Sequence, residues 1–258
     1  MNFSFIIVTD GKNDDNLLKV VNSIKLEFDR DSSRPIDVKA YEIIIVGNTS
    51  LEEGENCTYV NFDESEKSGW ITKKKNIGVR LAKFKNLVVM HDYITLKSGW
   101  YESYKNFGEK FDICMNRIEN FDGRRFTDWS LCVSFYEYYK QKENIAPHHI
   151  LLPYKLKNLT KLMYISGAYL VCKRKVLLDI PFNENLCWGQ SEDIEWSSRA
   201  RKIYDFSINE NATVKVCKLG KRNPRVSVSN KLLEKLQNLS DQEIQEISAI
   251  CDQNFFKN

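Results

Sequence analysis

Apolar residues along this chain fall in short blocks that alternate with longer amphipathic stretches. Residues 3–8 form an apolar run that stops at Thr9-Asp10-Gly11, the pattern of a buried strand entering a turn. Between residues 14 and 28, Leu17, Leu18, Val20, Val21, Ile24 and Phe28 recur at helical spacing. Residues 42–46 repeat the strand pattern and end in Gly47-Asn48-Thr49-Ser50; residues 57–62 predict a short third strand, 71–84 a helix and 87–90 a further strand. Strands and helices alternating in this way predict a mostly parallel sheet covered on both faces. Such sheets bind ligands beyond the carboxyl ends of their strands, which here are Thr9-Asp10-Gly11, Gly47-Asn48 and His91-Asp92-Tyr93.

The second half is less regular. Residues 111–118 predict a strand and 121–125 a polar turn, while 128–162 is aromatic-rich and carries His148-His149. Residues 164–172 predict one strand bearing Ser166-Gly167-Ala168, followed by a basic turn and a short helix to Asp179. Ile194, Trp196, Ala200 and Ile203 then mark a helix through Tyr204, with Ser191 as its expected N-cap. Residues 212–217 predict a strand, 218–225 a basic loop, and 231–256 one or two amphipathic helices with Ser240 as a cap. Without a repeat or a low-complexity linker, the economical division is a domain over residues 1–225 and a helical tail over 226–258 packed on it.

Composition narrows the function classes. The chain has 258 residues, 42% hydrophobic and 28% charged, as expected of a globular protein with a sizeable core. A net charge of +3 from 38 basic and 35 acidic residues is too balanced for a nucleic-acid footprint, so no nucleic-acid partner is expected. No apolar run reaches the ~20 residues that span a bilayer. The first nine residues lack a basic segment and read as a first strand rather than a signal peptide. Seven cysteines, with no CxxC pair, predict buried thiols in a reducing cytosol rather than metal ligands. Adjacent histidines point apart in most backbones, so His148-His149 is read as something other than a metal pair.

Candidate chemistry concentrates in Trp188-Gly189-Gln190-Ser191-Glu192-Asp193. Glu192 and Asp193 fall in the first turn of a helix, where the dipole favours an ionised carboxylate. A carboxylate beside an aromatic platform suits a general base that takes a proton from a hydroxyl on a stacked ring. Taken alone, the same residues equally describe an ordinary acidic N-terminal turn.

In their order, these landmarks resemble the family-two glycosyltransferases of the GT-A fold over residues 3–218. Ile6-Ile7-Val8-Thr9 and Glu42-Ile43-Ile44-Ile45-Val46 look like the family's first two strands, with Asn48 standing where acidic residues contact the base. Lys75-Asn76-Ile77-Gly78 is similar to the family's Arg-Asn-x-Gly, in a segment made basic by Lys73, Lys74 and Lys75; Lys73 and Lys74 are equally a solvated face. His91-Asp92-Tyr93 occupies the DxD position, and Trp188 to Asp193 resembles the glycine-then-Glu-Asp signature. The resemblance implies a GT-A, Rossmann-like, mixed but mostly parallel sheet flanked by helices, with the C-terminal helical appendage. It implies a donor site of Thr9, Asp10, Gly11, Asn48, Lys75, Asn76, His91, Asp92 and Tyr93, and an acceptor side of Gly167, Ala168, Trp188 and Gly189. Asp193 would be the base of an inverting transfer, and Glu192 would orient the acceptor or donor sugar. Mn²⁺ or Mg²⁺ would be held by Asp92 and His91, or its charge replaced by Lys218, Lys221 and Arg222. The implied partners are a nucleotide diphosphate sugar and a glycan or lipid-linked acceptor, with the protein cytoplasmic, peripheral at the inner membrane face, and a candidate homodimer. A sugar-nucleotidyltransferase and a glycan- or nucleotide-sugar-binding module are the alternative readings.

Overall fold

The computed structural model describes residues 1–29, 40–51, 54, 56–131, 151–156, 162–217, 234 and 236–255. Lys218, Lys221, Arg222, His148 and His149 therefore lie outside the described residues.

The first half follows the predicted alternation: β1 (Phe3–Val8), α1 (Asp14–Asp29), β2 (Tyr41–Val46), β3 (Cys57–Val60), α2 (Ile71–Leu81) and β4 (Asn86–His91). Two elements that the hydrophobic pattern did not predict follow, β5 (Ile94–Leu96) and α3 (Trp100–Phe107). The chain continues through β6 (Ile113–Glu119), β7 (Ser130–Leu131), β8 (Met163–Tyr164), β9 (Tyr169–Lys173), α4 (Arg174–Asp179), α5 (Glu192–Ala200), β10 (Phe206–Val216) and α6 (Asp241–Phe255).

Eight strands form one sheet in the order β3-β2-β1-β4-β9-β6-β10-β5. Of these, β9 and β5 run against the rest, since β9 pairs antiparallel with both β4 and β6 and β5 antiparallel with β10. The mixed, mostly parallel sheet is as expected. All six residues of β1 are buried, as a strand between two parallel neighbours requires. Helix α1 buries Leu17, Val20, Val21, Ile24 and Phe28 but leaves Leu18 exposed, so the apolar stripe is narrower than the periodicity predicted. Gly78 lets α2 sit close on the sheet: a Cβ there would come within 2.3 Å of Ile6 Cγ2.

Several predicted elements differ: the strand expected over 212–217 starts at Phe206, the helix expected through Tyr204 ends at Ala200, and two differences fall at the site. Residues 164–172 are not one strand: β8 ends at Tyr164, residues 165–168 turn, and β9 starts at Tyr169. The polar groups of Gly167 go to side chains instead of a ladder, its N–H to Asp193 and its carbonyl to Lys75. Ser191 stands at the N-cap position of α5 but in left-handed conformation (φ 59°) and makes no capping hydrogen bond. Asp193 supplies a local acceptor there, its Oδ1 taking the Ile194 N–H at 2.9 Å. By contrast, Ser240 opens α6 as predicted, exchanging bonds with Glu243 in a capping box. Ile244 and Ile247 of α6 join the buried core.

Candidate active site

The carboxyl ends of β1, β2 and β4 meet in one cluster. Thr9 Oγ1 donates to Asp92 Oδ2 at 2.6 Å, tying the first strand end to the DxD position. Gly47 and Gly11 allow the β1 and β2 turns to nest: a Cβ on Gly11 (φ 74°) would meet the Asn48 carbonyl oxygen at 2.8 Å. Thr9, Asp10, Gly11, Asn48 and Asp92 are thus neighbours, as the implied nucleotide site needs. Lys12 pairs with Asp10 at 2.8 Å in solvent.

Beside this cluster lies a cavity of about 360 Å³, within the range of small-ligand sites. Its lining joins eight of the expected residues: His91, Tyr93, Gly167, Ala168, Trp188, Gly189, Glu192 and Asp193. Phe126, Thr127 and Tyr164 also line it. Phe126 and Thr127 were not anticipated, because they follow a polar turn with no periodic signal. Asp128 fixes them from behind: buried, it accepts from the Ile118 N–H (3.1 Å), the Tyr154 hydroxyl (2.7 Å) and Arg125 Nε (2.7 Å).

Asp193 is the half-buried carboxylate of the cavity, with Oδ2 on the Gly167 N–H at 2.8 Å and Oδ1 on the Ile194 N–H. Glu192 beside it is 6% exposed, and burial pushes its carboxyl up; Lys75 opposes that shift and the neighbouring Asp193 adds to it. Tyr93 stays a neutral phenol, since burial first and then the charges of Asp92, Glu192 and Asp193 hold its ionisation well above the ordinary value. Trp188 stands at the mouth, 65% exposed, its backbone N–H on the Gly69 carbonyl.

The basic segment is arranged differently from its expected solvated or diphosphate-facing form. Lys74 is buried, donating to the Thr9 carbonyl at 2.8 Å and pairing with Glu64. Lys75 is buried beneath Gly167. Lys73 lies over the Trp70 ring at 4.0 Å and pairs with Glu66. Asn76 spends its amide on the chain before α5, donating to the Phe182 carbonyl and to Glu184 and accepting from the Phe182 N–H. Trp70 and Thr72 bond the same segment at the carbonyls of Glu184 and Leu186. The start of α2 is therefore a clamp that positions the Trp188 to Asp193 loop.

No protein-family model and no curated protein matches the sequence. Solved structures do match in three dimensions. S. aureus TarS 1-349 superposes with a TM-score of 0.52 at 14% identity, over 99% of this chain and 72% of that one. The same fragment in complex with UDP gives 0.51 at 14% identity over 100% and 72%. GalNAc-T7 with UDP, GalNAc and Mn²⁺ gives 0.59 at 11% identity, over 98% of this chain and 49% of that one. The fold is GT-A. Identities this low carry the architecture alone, and this chain spans about half the length of GalNAc-T7.

Within the GT-A frame, the DxD position reads His91-Asp92-Tyr93, in which Asp92 Oδ2 accepts the Thr9 hydroxyl and Tyr93 remains a phenol. No group of three His, Cys, Asp or Glu side chains gathers among the described residues. A divalent cation at a diphosphate takes one or two protein ligands and completes its shell with phosphate oxygens and waters, and Asp92 with His91 are the residues here that would hold it. Also among the described residues, no helix is long and apolar enough to cross a membrane.

Proposed function

We propose that this chain is an inverting glycosyltransferase that moves a sugar from a nucleotide diphosphate sugar to a hydroxyl of a glycan or lipid-linked acceptor. The observation that carries this reading is Asp193: a carboxylate seated on two backbone N–H groups, lining a cavity that opens beside the nested ends of β1, β2 and β4. TarS and GalNAc-T7, whose fold the chain shares, have both been crystallised with UDP, which supports a nucleotide diphosphate as the donor's carrier. Thr9, Asp10, Gly11, Asn48 and Asp92 hold the nucleotide end, and His91 and Tyr93 face the transferred sugar. Trp188 stacks on a sugar ring at the mouth.

In the transfer, the acceptor O–H gives its proton to a remaining lone pair of Asp193 while its oxygen bonds to the anomeric carbon. The bond from that carbon to the diphosphate breaks, and its electron pair leaves with the nucleotide diphosphate. Attack from the face opposite the leaving group inverts the centre. Glu192 orients the acceptor. The diphosphate charge is met by the basic loop of residues 218–225, with Lys218, Lys221 and Arg222, or by a Mn²⁺ or Mg²⁺ that Asp92 and His91 would hold. The reading carries with it a role in bacterial-type surface polysaccharide synthesis at the inner membrane face, with residues 1–225 holding the chemistry.

The test is calorimetry with UDP and GDP, followed by donor turnover in the parent and Asp193→Asn. The expected result is nucleotide binding in both proteins and turnover in the parent only. Absence of binding to any nucleotide diphosphate would replace this reading with a glycan-binding module.

A further inference from the structure

Lys75 is a fully enclosed lysine that does not reach the lining of the 360 Å³ cavity. Its Nζ donates to the Gly167 carbonyl at 2.9 Å, lies 3.8 Å from Glu192 Oε1, and stands 4.9 Å from the centroid of the Phe182 ring. Those three partners come from three places: the turn before β9, the start of α5 and the segment after α4. The Gly167 residue that Lys75 holds by its carbonyl is the one whose N–H seats Asp193. Lys75 and Asp193 therefore grip one residue from opposite sides.

We propose that Lys75 is the positioning residue of the carboxylate pair, counter-charging Glu192 and Asp193 from beneath the cavity floor and locking Gly167 so that Asp193 faces the acceptor. Its catalytic consequence rests on the reading of Asp193 as the base. The charge argument is one of balance. Two adjacent carboxylates repel one another, and Glu192 is buried as well, so ionising both without a nearby cation is costly. The groups facing the pair are Lys75 from α2, Tyr93 from the turn after β4, and His91 on the shared cavity wall. Tyr93 is a neutral phenol, and Lys75 supplies the compensating charge. Burial lowers the Lys75 ammonium, while Glu192 and then Asp193 act to keep it charged. Each partner thus sustains the ionisation of the other, and the solvent-facing side of the pair is left to substrate.

The experiment is a carbon-detected NMR titration of the Glu192 side-chain carboxyl in the full chain, assigned with Glu192→Gln, comparing the parent with Lys75→Met. The expected result is an upward shift of the Glu192 midpoint in Lys75→Met; an unmoved midpoint overturns the proposal. If Lys75→Met fails to fold, the double variant Lys75→Met/Glu192→Gln decides. Removing the uncompensated carboxylate is expected to restore a cooperative unfolding transition, and failure to restore it shows that Lys75 acts through packing alone. Where donor turnover is measurable, its acid limb moves to higher pH in Lys75→Met, whereas a purely structural role lowers turnover without moving the limb. The titration needs no turnover, so it stands or falls apart from the glycosyltransferase reading.

Discussion

The Gly167 N–H donates to Asp193 Oδ2 at 2.8 Å, and a Cβ at Gly167 would lie 3.1 Å from the same oxygen and 2.8 Å from Glu192 Oε1. The small residue at this turn makes room for the protein's own carboxylates. The resemblance places Gly167 on the acceptor side; the geometry gives the space beside it first to the approach of α5.

Gly167→Ala follows from that distance. The methyl group displaces Glu192 and Asp193 or the turn itself, and a shift near 1 Å in a catalytic group costs about 10²-fold in rate. Donor turnover should fall by that order, with unfolding free energy lowered by about 1–3 kcal/mol as for other overpacked sites. Parent-like turnover would show that the carboxylates have room to yield.

Nucleotide diphosphate binding should persist in excess chelator. Lys218, Lys221 and Arg222 carry enough positive charge to neutralise a diphosphate without a metal. Calorimetric titration with and without Mn²⁺ reads this directly. Binding that collapses with chelator and returns with Mn²⁺ would restore His91 and Asp92 as ligands.

Glu192 makes the parent's stability depend on pH in a definite direction, and Glu192→Gln removes that dependence. Burial raises the Glu192 carboxyl above its ordinary value in the folded chain, so between that value and the raised one the folded state binds more protons than the unfolded state. Parent stability from this group therefore declines as pH rises through the window. Below it, Glu192 is protonated in both states and the two proteins differ least. Chemical unfolding across the acid range should show Glu192→Gln gaining on the parent as pH increases, then a constant gap.

Trp188→Ala should separate stability from use. The ring is 65% exposed, so unfolding should move by no more than about 0.5 kcal/mol. Transfer to a glycan acceptor should weaken while hydrolysis of the donor continues. Equal loss of both activities would tie the ring to the donor instead.

Much of the architecture was legible because a buried strand and an amphipathic helix each declare themselves locally. Residues 3–8, 42–46 and the helix from residue 14 owe their form to their own periodicity. The Glu192-Asp193 pair was legible for a similar reason, as two acids at the start of a helix. What the sequence hid were commitments made at long range. Lys74 and Lys75 read as a basic face because nothing nearby reveals that their ammonium groups end on residues 9 and 167. Asn76 looked free for a ligand until its amide met Phe182, 106 residues away. The break at residues 165–168 had the same origin, since an apolar run cannot show that one of its peptides is claimed by another helix. Phe126 and Thr127 left no trace at all; the Phe126 N–H on the Ile118 carbonyl and the buried Asp128 next to them explain their place.

The strand β9, running backwards between β4 and β6, gives turnover a second use. Its insertion brings Gly167 to the edge where β1 and β4 end, so the proposed proton-accepting centre forms only after a late piece of chain has threaded between two earlier ones. Neither half of the molecule holds a working centre alone. In a split-fragment complementation assay, recovered catalysis would report completed threading of the sheet, where circular dichroism would register the helices whether or not that last insertion had occurred.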